Sequence, residues 1–261
     1  MKTHLLDYFE ETAIEKAGKT AVRHNDQEIT FGDLMAKAKK TGTYISSVLG
    51  GIHNRPVAVF LPKEINTVIA DLGIMYSANP FMNLDIKTPQ ERIMNIFNLV
   101  KPAAVITGNK YLKALAGVEM PVINIYELAW DGMETDEDVL NANRAILIDT
   151  DPFCLINTSS STGTPKGVVL NHRSFFDFMT VSNERFGFDG SEIIGSLSPD
   201  ELRMYNYRYK DRLSYDNIAG LEDITPETAR KRAERLRKKI TGIVSGYANN
   251  VLIRGRFMSR F

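Results

Sequence analysis

Four short apolar runs, spread over the first 160 residues, restrict what this 261-residue chain can fold into. They read PVAVFL at 56–61, AAVIT at 103–107, PVINI at 121–125 and FCLIN at 153–157. Each is too short for a core helix and rich in β-branched residues. None alternates apolar with polar residues as a strand with one wet face does; the runs at 56–61 and 103–107 read as strands buried on both sides, and those at 121–125 and 153–157 as further strands. Between them, apolar residues recur every three or four positions and predict helices over 65–77, 89–100 and 111–116. Strand and helix repeating in this way predict an α/β fold, with a mostly parallel sheet covered by helices on both faces.

The flanking sequence adds detail. Residues 5–16 predict a surface helix stopped at Gly18, and Asn25-Asp26 marks a hairpin between strands at 20–23 and 28–30. Thr30 has the hydroxyl of a helix cap for 31–49, and Gly50-Gly51 closes that helix. Residues 82–85 are expected as a connector, 130–143 as an acidic loop with a short helix, and 174–186 as a helix.

Composition excludes several classes. Hydrophobic residues are 43% of the chain, charged residues 25%, and formal net charge is zero, so no global field favours nucleic acid. Cys154 is the single cysteine, which rules out an intramolecular disulfide and reads as a small buried core residue. His4, His24 and His53 are scattered without metal-ligand spacing, and His172 is expected as a local hydrogen-bonding or capping residue. The N-terminus lacks a signal-peptide core, and no window approaches 18 apolar residues, so the expectation is a cytoplasmic protein without a transmembrane segment.

Charge divides the chain near residue 200. Residues 200–261 hold 14 Lys+Arg against 8 Asp+Glu, whereas residues 1–199 hold 18 against 24. Two segments are therefore expected: 1–199 carrying the α/β fold, and 200–261 as a mainly helical basic tail with a helix about 226–246. Thr225-Pro226-Glu227 opens that helix, Ala229, Ala233, Leu236, Ile240, Ile243 or Val244, and Tyr247 form its apolar stripe, and Arg230, Lys231, Arg232, Arg235, Arg237, Lys238 and Lys239 occupy the other faces. Tyr205, Tyr207 and Tyr209 alternate with polar residues and predict a strand with one aromatic face.

Residues 158–167, TSSSTGTPKG, carry the most chemistry. Clustered hydroxyls, two glycines and one lysine suit a polyphosphate: backbone N–H groups and hydroxyls donate to its oxygens, and the ammonium adds a point charge. The motif is not a Walker A loop, because the lysine lies between Pro165 and Gly167. Asn157-Thr158-Ser159 also matches a glycosylation sequon, which has no meaning in a cytosolic phosphate loop.

The order Thr-Gly-x-Pro-Lys-Gly resembles the adenylate-forming superfamily of acyl-CoA synthetases, luciferase-like enzymes and peptide-synthetase adenylation domains. Residues 29–34 (ITFGDL), 57–62 (VAVFLP), 77–80 (SANP) and 89–93 (PQERI) extend the resemblance, which covers about residues 1–199 and is nearest to amino-acid adenylation domains and D-alanine–carrier-protein ligases. The resemblance implies a ligase that uses ATP and Mg2+ to adenylate an amino acid or other carboxylate. It then passes the acyl group to a thiol, on coenzyme A or a carrier protein. It further implies that Thr158, Ser159, Ser161, Thr162, Gly163, Lys166 and Gly167 hold the β- and γ-phosphates. Two departures accompany it. Ser160 stands where the family has glycine, and no Tyr-Gly-Pro or Thr-Gly-Asp triplet for adenine and ribose occurs in the chain. These departures imply an incomplete N-terminal region, inactive by itself, with sheet edges and apolar surface left uncovered. Two other readings are a non-catalytic scaffold whose basic C-terminal module contacts a partner, nucleic acid or a membrane surface, and a join of unrelated sequence near Pro199.

Overall fold

The computed structural model describes residues 2–158, 166–186 and 199–245, which form two compact units, 1–181 and 182–261. Six strands of the first unit form one sheet: β3 (Val57–Val59), β4 (Phe81–Asn83), β5 (Ala104–Thr107), β6 (Val122–Asn124), β7 (Pro152–Thr158) and β8 (Lys166–Asn171). Their order is β6-β5-β3-β4-β7-β8, with every pairing parallel except that of β7 with β8.

Why the apolar runs are continuous is visible at β3. Successive side chains of a strand point to opposite faces, and here both faces are covered. Val57 and Val59 pack with Ile45 of α2 (Phe31–Leu49) and Ile69 and Ile74 of α3 (Ile65–Tyr76). Ala58 and Phe60 pack with Met82, and with Ile93, Ile96 and Phe97 of α4 (Gln90–Val100). Helix α2 starts and stops as its sequence predicts: Thr30 Oγ1 accepts from the Asp33 N–H at 3.1 Å, and Gly50 takes the left-handed conformation at φ 59°.

The smaller elements brace this core. Helix α1 (Leu5–Glu15) precedes the antiparallel hairpin of β1 (Thr20–His24) and β2 (Gln27–Thr30). Helix α5 (Glu137–Ile146) fills the segment expected as an acidic loop with a short helix. Its Arg144 bridges to Asp7 and, at 2.7 Å, to Glu10 of α1. The helix expected over 111–116 is a 3-10 helix, Asn109–Leu115.

Two expectations needed correction. The stretch expected as a connector at 82–85 begins inside β4, which pairs in parallel with both β3 and β7. With only three residues, one of them Asn83, it has no periodicity to read. The tyrosine segment is helical rather than extended, with α7 (Pro199–Tyr205) running into a π-helical turn, Asn206–Lys210. Tyr205 and Tyr209 bring their rings to 5.2 Å across one turn, and Tyr205 and Tyr207 pack on Met204 and Ile218.

The second unit continues with α8 (Tyr215–Glu222) and α9 (Pro226–Ser245). Ser214 caps α8 by accepting from Asn217, and Thr225 caps α9 by accepting from Thr228. Ala229, Ala233 and Leu236 of α9 are buried with Met204 and Ile218. Among the described residues no helix is long and apolar enough to cross a membrane.

Candidate functional site

The sheet topology singles out one end of the molecule. Helix α3 leaves β3 on one face and α4 leaves β4 on the other, and β3 and β4 are neighbours. Adjacent strands with connections of opposite sense leave a crevice at their C-terminal ends, where open α/β sheets bind ligands. Strand β7 lies beside β4 with Cys154 level with Phe81. It runs on past Asn83, so Thr158 stands roughly 7 Å beyond the end of β4.

At that point the chain turns. Asn157 pairs with Gly167 and Thr158 with Lys166 across the β7–β8 hairpin, so two ends of the expected phosphate loop are brought directly opposite each other. Gly167 is exposed and a Cβ placed there meets nothing within 4 Å, so packing does not require the glycine. Ser159, Ser161, Thr162 and Gly163, together with Ser160, lie outside the described residues. By its residue types the donor set fits a polyphosphate: hydroxyls, N–H groups and one ammonium. Asn157, at the foot of the loop, adds a buried Nδ2 with no hydrogen-bond partner, a spare donor at a position that the sequence marks only as a strand end and part of a sequon.

A second polar group behind β4 and β7 was not foreseen. Asp71 of α3 accepts at 3.0 Å from Asn83 Nδ2 through one oxygen, while Oδ1 is buried without a partner. Burial pushes its carboxyl up to about 7, against a smaller opposing effect of the Asn83 hydrogen bond. Burial, reinforced by the Asp71 charge, pushes the Cys154 thiol up to about 12. A thiol so held is not a nucleophile at neutral pH, in keeping with its reading as a core residue. The sequence signal for Asp71 is one acid inside the apolar pattern INTVIADLGIMY.

His172 is a hydrogen-bonding residue as expected, but its partner is distant. Its Nδ1 accepts from the Leu5 N–H at 3.2 Å, satisfying a donor of the first turn of α1. The ring is buried and lies edge-on to His4 at 5.4 Å. Burial, and next the neighbouring His4, lower its pKa to about 4, outweighing the attraction of Asp151 and Asp149. A neutral His172 whose Nδ1 accepts has its proton on Nε2. Among the described residues no cluster of His, Cys, Asp and Glu is arranged to hold a metal ion.

Residues 9–199 match the AMP-binding enzyme family. The chain belongs to that family. Among curated relatives, the D-alanine--D-alanyl carrier protein ligase of Bacillus velezensis is 31% identical over 186 residues, covering 67% of this chain and 34% of the ligase. The isonitrile lipopeptide synthase of Streptomyces coeruleorubidus is 26% identical over 175 residues, covering 67% of this chain and 12% of the synthase. The chain thus spans about a third of the ligase and a smaller part of the synthase. Among solved structures, VinN superposes with a TM-score of 0.62 at 19% identity, over 74% of this chain and 52% of that one. That likeness shows the fold: the AMP-binding chain has the mostly parallel α/β architecture of the N-terminal domain of adenylate-forming enzymes. The resemblance seen in residues 158–167 and in the segments before them is therefore one of descent.

Proposed function

We propose that this AMP-binding chain is the N-terminal part of an ATP-dependent acid–thiol ligase, and that residues 158–167 grip the nucleotide's β- and γ-phosphates. A carboxylate oxygen of an amino acid or related acid attacks the α-phosphorus, the bond from that phosphorus to pyrophosphate breaks, and an acyl-adenylate forms. The acyl group then moves to a thiol, of coenzyme A or a carrier protein, with AMP as leaving group.

In this reading Thr158, Ser159, Ser161 and Thr162 donate hydroxyl hydrogen bonds to phosphate oxygens, and Gly163 and Gly167 let the backbone come close. Lys166 stabilises charge that grows on the departing pyrophosphate, the type of preorganised stabilisation that lowers such barriers most. Mg2+, when bound, neutralises phosphate charge. What supports the reading most is the pairing of Thr158 with Lys166 between β7 and β8, beyond the end of β4, within a chain of this family. The carrier-protein ligase among the relatives supports an amino acid as the acid and a carrier as the acceptor.

The reading assigns residues 1–199 to the AMP-binding portion and residues 200–261 to a basic tail. It also holds that these 261 residues do not complete adenylation, because the adenine and ribose motifs of the family do not occur among them. Carboxylate-dependent ATP–pyrophosphate exchange tests this on the full chain with a panel of amino acids and short carboxylic acids. The expected result is no exchange above background with any of them. Exchange that requires one carboxylate and disappears in Lys166→Ala would keep the site and overturn the inactivity.

A further inference from the structure

Strand β8 carries Lys166 at one end and runs at the other directly into His172, the first residue of α6 (His172–Phe186). Among the described residues it is an edge strand, so its register against β7 decides which residue stands opposite Thr158. The ladder does not choose that register by itself. An antiparallel strand slid by two residues remakes the same hydrogen-bond pattern with the same side chains on each face. Register is then selected by side chains that fit in one place, and near the loop such contacts are few. Ile156, Gly167, Val168 and Val169 are all exposed. The seven residues that join the strands, 159–165, exceed the two-residue turns whose type dictates register.

The base of the ribbon differs. Leu170 packs on the cluster that holds Phe153 and Cys154. His172 is buried with its ring 5.6 Å from that of Phe153, and its N–H donates to the Asp151 carbonyl at 3.4 Å. Its Nδ1 accepts from the Leu5 N–H at 3.2 Å, which ties the strand end to α1. Arg173 holds Asp149 bidentately: Nε and Nη2 donate to the two carboxylate oxygens at 2.9 and 2.8 Å. The Arg173 N–H also donates to the Asp149 carbonyl at 2.8 Å. Bidentate pairs are the ion pairs that impose geometry even where they are half exposed. The pairing shifts by one residue between Pro152 and Cys154, beside these contacts, and then runs evenly to Thr158 and Lys166. We propose that His172 and the Arg173–Asp149 pair are positioning groups of the phosphate site, which hold β8 in the register that sets Lys166 opposite Thr158. A slip of two residues would carry Lys166 about 7 Å along β7, out of reach of a phosphate held at Thr158. This role rests on residues 158–167 gripping ATP.

The test titrates Mg2+–ATP at pH 8 into the full chain, wild type and variants, and follows hydrogen exchange of the β8 amides in the same proteins without nucleotide. Arg173→Gln and His172→Leu should each weaken ATP binding about tenfold, as loss of one charge-assisted hydrogen bond would, and speed exchange in β8. The exchanged pair D149R/R173D, and His172→Asn, which keeps an acceptor for Leu5, should restore both properties. Gly42→Ala, at the α2–α3 contact, should lower stability and leave ATP affinity unchanged, which separates positioning from general destabilisation. ATP affinity in Arg173→Gln and His172→Leu equal to wild type, or a loss that Gly42→Ala shares, would overturn the positioning role while leaving the phosphate grip intact. Absence of ATP binding by wild type would overturn the grip itself, and the positioning role with it. Should His172→Leu not fold, Arg173→Gln and its reversal in the exchanged pair decide.

Discussion

At His172, the acceptor nitrogen can hold the Leu5 N–H only while the imidazole is neutral. Protonation at Nδ1 would break that bond and set a positive charge at the positive end of the α1 dipole. The folded pKa, about 4, lies below the ordinary 6.5. The unfolded chain therefore binds the proton first as pH falls, and the contribution of His172 to stability is complete above 6.5 and lost between 6.5 and about 4. In His172→Asn, whose Oδ1 takes the place of Nδ1, thermal melts should show a flatter fall in Tm than wild type across that window, with similar Tm at pH 8. Asp71 has the opposite sign. Its folded carboxyl, raised to about 7 from 3.8, is protonated where the unfolded one is already ionised. Its contribution thus falls as pH rises from 3.8 to 7 and stays low above. Asp71→Asn should add about 1–3 kcal/mol at pH 8 and almost nothing at pH 3.5, by urea denaturation at both values. Neither role is written in local sequence. His172 lies 167 positions from Leu5, and Asp71 acquires its environment only when β4 and β7 close over α3.

Helices α2 and α3 meet where side chains are smallest. A Cβ on Gly42 would lie 2.5 Å from Tyr76 Cβ and 3.0 Å from the Gly73 carbonyl oxygen, and one on Gly73 would lie 2.7 Å from Thr41 Cγ2. These neighbours are backbone or the stiff base of a side chain, so the helices themselves must separate. Gly42→Ala should destabilise by roughly 1–3 kcal/mol despite alanine's better helix propensity, read as a lower denaturation midpoint at unchanged m value. At this scale much of the fold was legible. Thr30 and Gly50 bound α2 through their own chemistry, and the runs at 56–61 and 103–107 became β3 and β5 because both their faces are covered. Strand β4 was hidden because three residues carry no period. The tyrosine segment misled because two-residue spacing was read as a strand, whereas its rings meet four residues apart in a helical turn.

For the molecule as a whole, the loop's ancestry was legible because its order of hydroxyls, glycines and lysine is written in one continuous stretch, whose ends, Thr158 and Lys166, pair on adjacent strands. The sheet order was not, since it depends on pairings between distant strands such as β4 with β7. Ile156, Val168 and Val169 are 46%, 45% and 60% exposed on the β7–β8 ribbon, with β8 at the edge of the sheet. Everything functional in this account depends on residues 158–167 holding the phosphates of ATP. Isothermal titration of Mg2+–ATP into the full chain measures that directly, alongside Lys166→Ala and Ser160→Gly. Saturable binding, weakened about tenfold or more in Lys166→Ala (a loss of about 1.4 kcal/mol) and tightened in Ser160→Gly, is the predicted result. Absence of saturable binding, or an affinity that Lys166→Ala leaves unchanged, would contradict it.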